Sequence, residues 1–287
     1  MPELIARQPF EGCTASYEAA RIVLVGAGYD GTSSYRPGSR FAPLAIRSEA
    51  LYSQENYSPY FQRDLSEFPI HDLGDLDLPF GEKGQALQDI EETARRLFDD
   101  QKVPVFIGGE HLITLPVVQA ALHRYPDLVV VQLDAHLDLM DELFGERISH
   151  GTVMRRILDL LKDGQRLFQV GIRSGSKEEF EFAHATTQLF PFSTHEFLKH
   201  LYLLKDKPVY LSVDLDVFDP SLIPGTGTPE AGGIFFPEFM NCLKALMQFN
   251  LVALDMVELA PKIDPTGNST IHAAKILREL LIAAAID

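Results

Sequence analysis

Two spacings of apolar residues alternate along this chain, and the switches between them mark its elements. Short runs rich in Val, Ile and Leu, closed by glycine or by a polar cluster, predict buried strands. They fall at Arg21–Gly26, Glu67–Leu73, Pro104–Gly108, Leu128–Leu133, Arg166–Ile172, Pro208–Val213 and Leu251–Val257. Between them, apolar residues three and four apart predict helices over Phe41–Ala50, Gly84–Asp100, His111–Tyr125, Thr152–Leu161, Glu178–His184, Pro237–Gln248 and Thr270–Ala285. Gly28–Arg40 reads as a loop from its Gly, Pro and Ser content, and residues 1–20 as an irregular lead-in. Strands alternate with helices throughout, and several strands are apolar on both faces. That combination predicts an α/β fold: a single three-layer α/β/α domain over residues 1–287 with a mostly parallel central sheet. In such sheets ligands bind beyond the C-terminal ends of the strands. Polar residues just after a strand are therefore the candidates for chemistry.

Three clusters sit at such positions. After LVVVQL come Asp134, His136 and Asp138, at spacing two, so that in extended chain they share one face. After PVYLSV come Asp214 and Asp216 with the same spacing, then Asp219 in a turn-like Asp-Pro. After PVFI come Gly108, Gly109, Glu110 and His111, with His111 at a helix start. Carboxylates this close, at the ends of buried strands, resist ionising together unless a cation compensates them. A calcium loop of the EF-hand type does not fit. Counting from Asp214, the turn glycine is replaced by Asp219 and the closing Glu by Gly225. Four aspartates and two histidines, with no cysteine among them, suit a pair of hard-to-borderline divalent ions. Manganese is favoured, with cobalt, nickel and iron left open. Such a pair is a known means of making hydroxide near neutral pH.

Composition changes this picture little. A chain of 287 residues with 46% hydrophobic content can build one large core. The net charge of −16 argues against nucleic acid as a partner and permits attraction of a cation. With only Cys13 and Cys242, neither a disulfide framework nor a thiolate metal site is suggested. The N-terminus has no leader pattern and no apolar run reaches membrane-spanning length, so a cytoplasmic enzyme with no membrane contact is the expectation.

GGEH, DAHLD, SHGT, SVDLDVFDP and PGTGTPEAGG, in this order, resemble the ureohydrolases: arginase, agmatinase and their relatives. The likeness runs from Ile22 onward, and GYDGTSSYRPGSRFAPLAIR with NYSPY looks like bacterial agmatinases in particular. The resemblance implies two manganese ions per subunit. His111, Asp134, Asp138 and Asp214 would hold one, and Asp134, His136, Asp214 and Asp216 the other. It also implies that His150 of SHGT shuttles protons, that Asp138 passes a proton to the leaving nitrogen, and that Glu258 of MVELAP pairs with the substrate guanidinium. It further implies a homo-oligomer, commonly a trimer or hexamer. One departure stands out: position 110 is Glu where the family usually has Asp, so Glu110 is expected to orient His111 or a neighbour.

The implied reaction hydrolyses a guanidinium compound to urea and an amine, through attack by hydroxide on the guanidinium carbon. Arginases resemble one another in a loop of the type SGNxHG and in an Asp after an Arg. Here the loop is Met140–Gly151 without the Asn, and Ser174 follows Arg173. Both departures favour a substrate lacking the amino-acid head group, with agmatine first. Asp141, Glu142 or Glu146 is the candidate partner for its ammonium. Guanidinobutyrate stays open because Arg147 or Arg173 could meet a carboxylate; arginine, other guanidino acids and guanidine rank lower. A non-catalytic homologue serving as a regulatory subunit would be expected to lose ligands, and all six are present. A single-zinc deacylase on a related fold would lack the second DxD pair, which is intact.

Overall fold

Nine strands form one sheet in a computed structural model that describes residues 2–286. In chain order the elements are β1 (Leu4–Ile5), β2 (Ile22–Ala27), α1 (Ala42–Ser53), β3 (Tyr57–Ser58), β4 (Arg63–Asp64), β5 (Ile70–Leu76), α2 (Lys83–Asp99), β6 (Val103–Gly108), α3 (Thr114–Arg124) and β7 (Val129–Leu133). They continue with α4 (Val153–Leu161), β8 (Leu167–Ile172), α5 (Lys177–Thr186), β9 (Gln188–Pro191), α6 (His195–Lys199), β10 (Pro208–Asp214), α7 (Phe236–Leu246), β11 (Asn250–Val257) and α8 (Asn268–Ala285). The sheet order is β1-β5-β2-β6-β11-β10-β7-β8-β9, and every pairing is parallel except β1 with β5. β3 and β4 make a separate two-stranded ribbon.

Alternation along the strands divides the core into two layers, as pleating requires. Leu24, Val105, Val131, Leu211 and Leu254 face one way and pack with Ile46 of α1, Phe239 of α7 and Leu277 of α8. Val23, Phe106, Val130, Tyr210 and Ala253 face the other and pack with Ile90 of α2, Val117 of α3 and Ile157 of α4. The result is the three-layer α/β/α arrangement expected. Every residue of β2, β7, β8 and β10 is buried, which is why those strands are mostly apolar in the sequence, interrupted by Gln132, Gln169, Ser212 and Asp214. Among the described residues, no helix is long and apolar enough to cross a membrane.

Six elements differ from the sequence expectation: β3, β4 and α6 are additional short pieces, and β1, β5 and β9 alter the sheet. β5 begins at Ile70 and not at Glu67, and it runs to Leu76 through Asp72 and Asp75. Those acids are tolerated inside because Arg47, buried on α1, donates to Asp72 at 2.7 and 2.8 Å and to Asp75 at 2.5 Å. The lead-in contributes β1 to the sheet edge. β9, with Gln at its start and Pro at its end, pairs with β8 at the opposite edge.

The site's position follows from the order of the strands. The chain passes from β6 to β7 across a gap that β10 and β11 fill later. The C-terminal ends of β6, β11, β10 and β7 therefore lie side by side, and all three polar clusters share one edge of the molecule.

Candidate metal centre and substrate pocket

His111 lies at the start of a short 3-10 turn after β6, with its side chain 1% exposed. Its approach depends on Gly109. A Cβ there would stand 1.8 Å from the Tyr29 carbonyl oxygen, so only glycine lets these backbones meet. The Tyr29 carbonyl accepts the Glu110 N–H at 2.7 Å, and the Gly109 carbonyl accepts the Glu258 N–H at 2.9 Å. The loops after β2 and β6 and the end of β11 are tied together at this point.

The imidazole of His111 is oriented from behind. Nε2 lies 2.9 Å from Ser212 Oγ, and Ser212 Oγ donates to Asp255 Oδ1 at 2.6 Å. Asp255 also accepts from Tyr210 Oη at 2.5 Å and from Thr114 Oγ1 at 2.7 Å. With the Ser212 proton given to Asp255, Ser212 Oγ accepts from Nε2–H, and in the neutral ring Nδ1 carries the lone pair. Nδ1 is buried and lacks a hydrogen bond, yet three carboxylate oxygens surround it: Asp134 Oδ2 at 3.0 Å, Asp138 Oδ2 at 3.1 Å and Asp214 Oδ2 at 3.3 Å. A buried acceptor facing three acceptors is a cavity for a cation.

A second grouping adjoins the first through Asp134. His136 Nδ1 lies 2.9 Å from Asp216 Oδ2 and 3.7 Å from Asp134 Oδ1. Ligand atoms of His111, Asp134 and Asp138 lie within 4.8 Å of one another, and so do those of Asp134, His136 and Asp216. Asp134 is fully buried and held by Gln132 Nε2 at 2.7 Å and the His136 N–H at 2.6 Å. Asp216 accepts the Ala135 N–H at 3.1 Å, and Asp214 accepts the Asp216 N–H at 2.8 Å. All six residues of the three sequence clusters are thus together. Asp219, read as a turn residue, accepts the N–H groups of Ser221, Gly232 and Gly233.

Protonation reflects a shortage of positive charge. Burial disfavours charged imidazoles, but the carboxylates of Asp134, Asp138 and Asp214 outweigh it and hold His111 well above its ordinary value. Burial is likewise overcome at His136, which Asp216 and Asp134 push up to about 12. Burial and the neighbouring Asp134 charge push Asp138 up to about 6, and burial with Asp216 raises Asp214. With protein groups alone, protons must neutralise these acids. Divalent cations would fit the same donors better, since oxygen and imidazole ligands in this number suit them.

A cavity of about 320 Å³ opens over the cluster. Its walls include His111, His136, Asp138, His150, Asp214, Asp216, Ser174, Glu179 and Glu258, and Asp134 lies behind them. Glu258 is 8% exposed; Oε1 accepts the His111 N–H at 2.7 Å, and Oε2 has no hydrogen bond among the described residues. Burial, and then the charge of Glu110, raise the Glu258 carboxyl. Asp138 and Glu258 both have left-handed backbone, with φ of 54° and 67°, which non-glycine residues adopt at a cost. His150 sits between two hydroxyls of the loop before α1, Thr32 Oγ1 at 3.4 Å from Nδ1 and Ser34 Oγ at 3.1 Å from Nε2. Burial, and then the positive charge at His111 and His136, push His150 down to about 4.

Some expectations of the sequence are corrected here. Of the two partners expected for Glu110, the His111 ring is oriented by Ser212 and Asp255 instead, whereas the carboxylate does hold neighbours, accepting from Thr32 and Ser33. Asp141 pairs with Arg156 at 2.7 Å and Arg147 at 3.1 Å, and Glu146 with Lys83 at 2.5 Å. Neither of these acids, nor Glu142, lines the cavity. Arg173 turns its guanidinium to backbone carbonyls, including Asp216 at 2.7 Å and Glu230 at 2.8 Å, and Arg147 is an exposed partner of Asp141. The acid that does line the cavity beside the loops is Glu179, 7% exposed on the first turn of α5. Its Oε1 accepts the Leu139 N–H at 3.2 Å and Oε2 the Ser176 N–H at 2.9 Å.

Comparison with known proteins agrees with this geometry. The model of the arginase family matches residues 20–283. The agmatinase of Bacillus cereus is 43% identical over 271 residues, covering 93% of each chain. The agmatinase of Bacillus subtilis is 40% identical over 284 residues, covering 98% of this chain and 97% of that one. The crystal structure of the agmatine ureohydrolase of Thermoplasma volcanium superposes with a TM-score of 0.88 at 32% identity, covering 98% of this chain and 95% of that one.

Proposed function

This chain belongs to the arginase family and is a ureohydrolase, and we propose that it hydrolyses agmatine to putrescine and urea with two bound manganese ions. The observation that carries the substrate assignment is the charge of the cavity wall. Asp138, Glu179, Asp214, Asp216 and Glu258 line it, and among the described residues no Lys or Arg does. A guanidinium with an ammonium tail, cationic at both ends, suits such a wall. Guanidinobutyrate would bring a carboxylate into the same acid-lined space, with Arg147 and Arg173 engaged elsewhere. Arginine would add a carboxylate as well.

In this reading His111, Asp134, Asp138 and Asp214 would hold one ion, and Asp134, His136, Asp214 and Asp216 would hold the other. When bound, such a pair neutralises the aspartates and supplies a deprotonated water near neutral pH. The chain's own residues do the rest. Glu258 Oε2 accepts N–H groups of the guanidinium and fixes its carbon in place, by a charge-assisted bond that a fixed carboxylate makes strong. Glu179 takes the ammonium tail. Asp138 delivers a proton to the departing nitrogen, because an amine leaves only when protonated. His150 exchanges protons between the site and solvent past the exposed Ser34. A homo-oligomer is proposed on the family resemblance, and sedimentation velocity measures the assembly.

The test is urea release by the manganese-loaded protein on agmatine, arginine, guanidinobutyrate, guanidinopropionate and guanidine. Agmatine is expected to have the highest kcat/KM. A higher value for arginine or guanidinobutyrate overturns the assignment.

A further inference from the structure

Glu110 adjoins a metal residue in sequence, yet its carboxylate reaches into the loop between β2 and α1. Three donors converge on it. Oε2 accepts the Thr32 N–H at 2.9 Å and Ser33 Oγ at 3.1 Å, and Oε1 accepts Thr32 Oγ1 at 2.5 Å. A hydroxyl has one proton, and that of Thr32 is given to Glu110. Thr32 Oγ1 can then only accept. It accepts the backbone N–H of His150 at 3.0 Å, and its remaining lone pair faces His150 Nδ1 at 3.4 Å. If Nδ1 were unprotonated, two lone pairs would confront each other.

We propose that Glu110 is a positioning residue that sets the tautomer of His150: through the committed hydroxyl of Thr32 it keeps the ring proton on Nδ1 and leaves Nε2 unprotonated. Nε2 then lies toward the cavity mouth, 3.1 Å from the exposed Ser34 hydroxyl, free to take up or return a proton. The inference rests on the reading of His150 as the proton carrier of a ureohydrolase, and it adds what determines which nitrogen does that work. Burial of His150, which pushes it down to about 4, makes the neutral ring and its tautomer the relevant question near neutral pH.

The alternative is that Glu110 merely ties the loop down. Glu110→Gln separates the two. The Thr32 N–H can only donate, so the amide oxygen must take the Oε2 position. The amide NH2 then faces Thr32 Oγ1 and donates to it. Thr32 would turn its own proton toward Nδ1, and the ring proton would move to Nε2. The loop keeps its ties, but the direction of one hydrogen bond reverses.

The tautomer is read by NMR of nitrogen-15-labelled histidine in the protein loaded with zinc, a diamagnetic stand-in, in mildly alkaline buffer. His150→Asn identifies the signal. The expected results are Nδ1–H in the parent and Nε2–H in Glu110→Gln. The manganese-loaded variant should lose about tenfold in kcat, a modest part of what acid–base catalysis contributes, with metal content unchanged. Thr32→Val should also lose the Nδ1–H form, and Glu110→Gln should add nothing on top of it. Thr32→Ser, which restores the hydroxyl, should restore Nδ1–H. This Val and Ser pair carries the same test if Glu110→Gln does not fold. An Nε2–H parent, or a folded Glu110→Gln protein with an unchanged tautomer, overturns the inference even if agmatine is hydrolysed. The expected tautomers without hydrolysis of any guanidine uphold the Glu110–Thr32–His150 coupling and overturn the proposed reaction instead.

Discussion

Replacing Glu179 with glutamine removes one negative charge from the cavity wall and little volume. If Glu179 takes the ammonium of agmatine, the loss can be bounded. At about 4 Å and an effective dielectric near 20, the attraction is of order 4 kcal/mol. Taking the ammonium and carboxylate from water offsets part of that, leaving about 1.5–3 kcal/mol for a charge-assisted hydrogen bond. That corresponds to roughly 10- to 150-fold in kcat/KM. The same carboxylate also accepts the Leu139 and Ser176 N–H groups, and glutamine can satisfy only one of them. A fall in activity alone would therefore not separate recognition from damage to α5. Butylguanidine does separate them, since it keeps the guanidinium and chain length of agmatine but has no ammonium. The assay is urea release at subsaturating concentrations of each compound. The parent should favour agmatine by about the factor above, and Glu179→Gln should erase that preference while changing butylguanidine turnover by less than about threefold. Equal losses on both compounds would refute the role of Glu179, and so would an unchanged preference for agmatine.

Asp134 belongs to both ligand groupings, so Asp134→Asn should strip both ions and all urea release, read by elemental analysis beside the activity assay; full metal content with full turnover would contradict the ligand assignment. Chelation of the parent should lower its melting temperature in calorimetry, because ions bound to the folded chain alone stabilise it, and Asp134→Asn should be insensitive to the chelator. His150→Asn should lower kcat by about 100-fold with a smaller change in KM. Because the His150 value in the fold, about 4, lies below its ordinary one, its neutral form stabilises the native state above pH ~6.5. That contribution is lost as pH falls toward 4, so the parent should lose stability across this window more steeply than His150→Asn in denaturant titrations. Burial pushes the Cys242 thiol up to about 12 and raises Cys13 as well, so a thiol reagent should find neither until the protein is unfolded.

The legible parts of this molecule are those where one residue's neighbours in sequence are also its neighbours in space. LVVVQL followed by DAHLD reads as a buried strand ending in ligands because period two survives into the loop, and the structure keeps that face together. The sequence places β5 three residues early because Gly74 and Asp75 look like a strand's exit, and the arginine that neutralises Asp72 and Asp75 lies on α1. Glu179 belongs to the capping box of α5, and nothing local in the sequence says that the same carboxylate lines a cavity. Thr32 and Ser34 stand more than a hundred residues from His150, in a loop whose hydroxyls have no period to read. A signal was present for Ser212 and Asp255. Each interrupts an apolar strand, and a polar side chain inside a sheet must find partners, here one another and His111.

How the chain treats its other buried acids is the strongest argument that the central cluster awaits cations. Asp72 and Asp75 have Arg47, Asp30 has Arg40 at 2.8 Å, and Glu279 has Arg278. Asp255, Glu110 and Asp264, without an arginine, each have hydroxyl donors from other parts of the chain or their own turn. At the cavity the pattern stops. Two arginines lie close by, and each gives its guanidinium to backbone: Arg36 to the carbonyls of Thr226 and Gly227, and Arg173 to those of Asp216, Val217, Glu230 and others. They brace the loops around the cluster and leave its carboxylates facing one another and two imidazoles. An arginine turned inward would neutralise the acids permanently and fill the space above His111 Nδ1. A chain that pairs its buried carboxylates elsewhere and withholds arginine here keeps room for charge that arrives from solution, as metal ions in the floor of the cavity and as a cationic substrate against its wall.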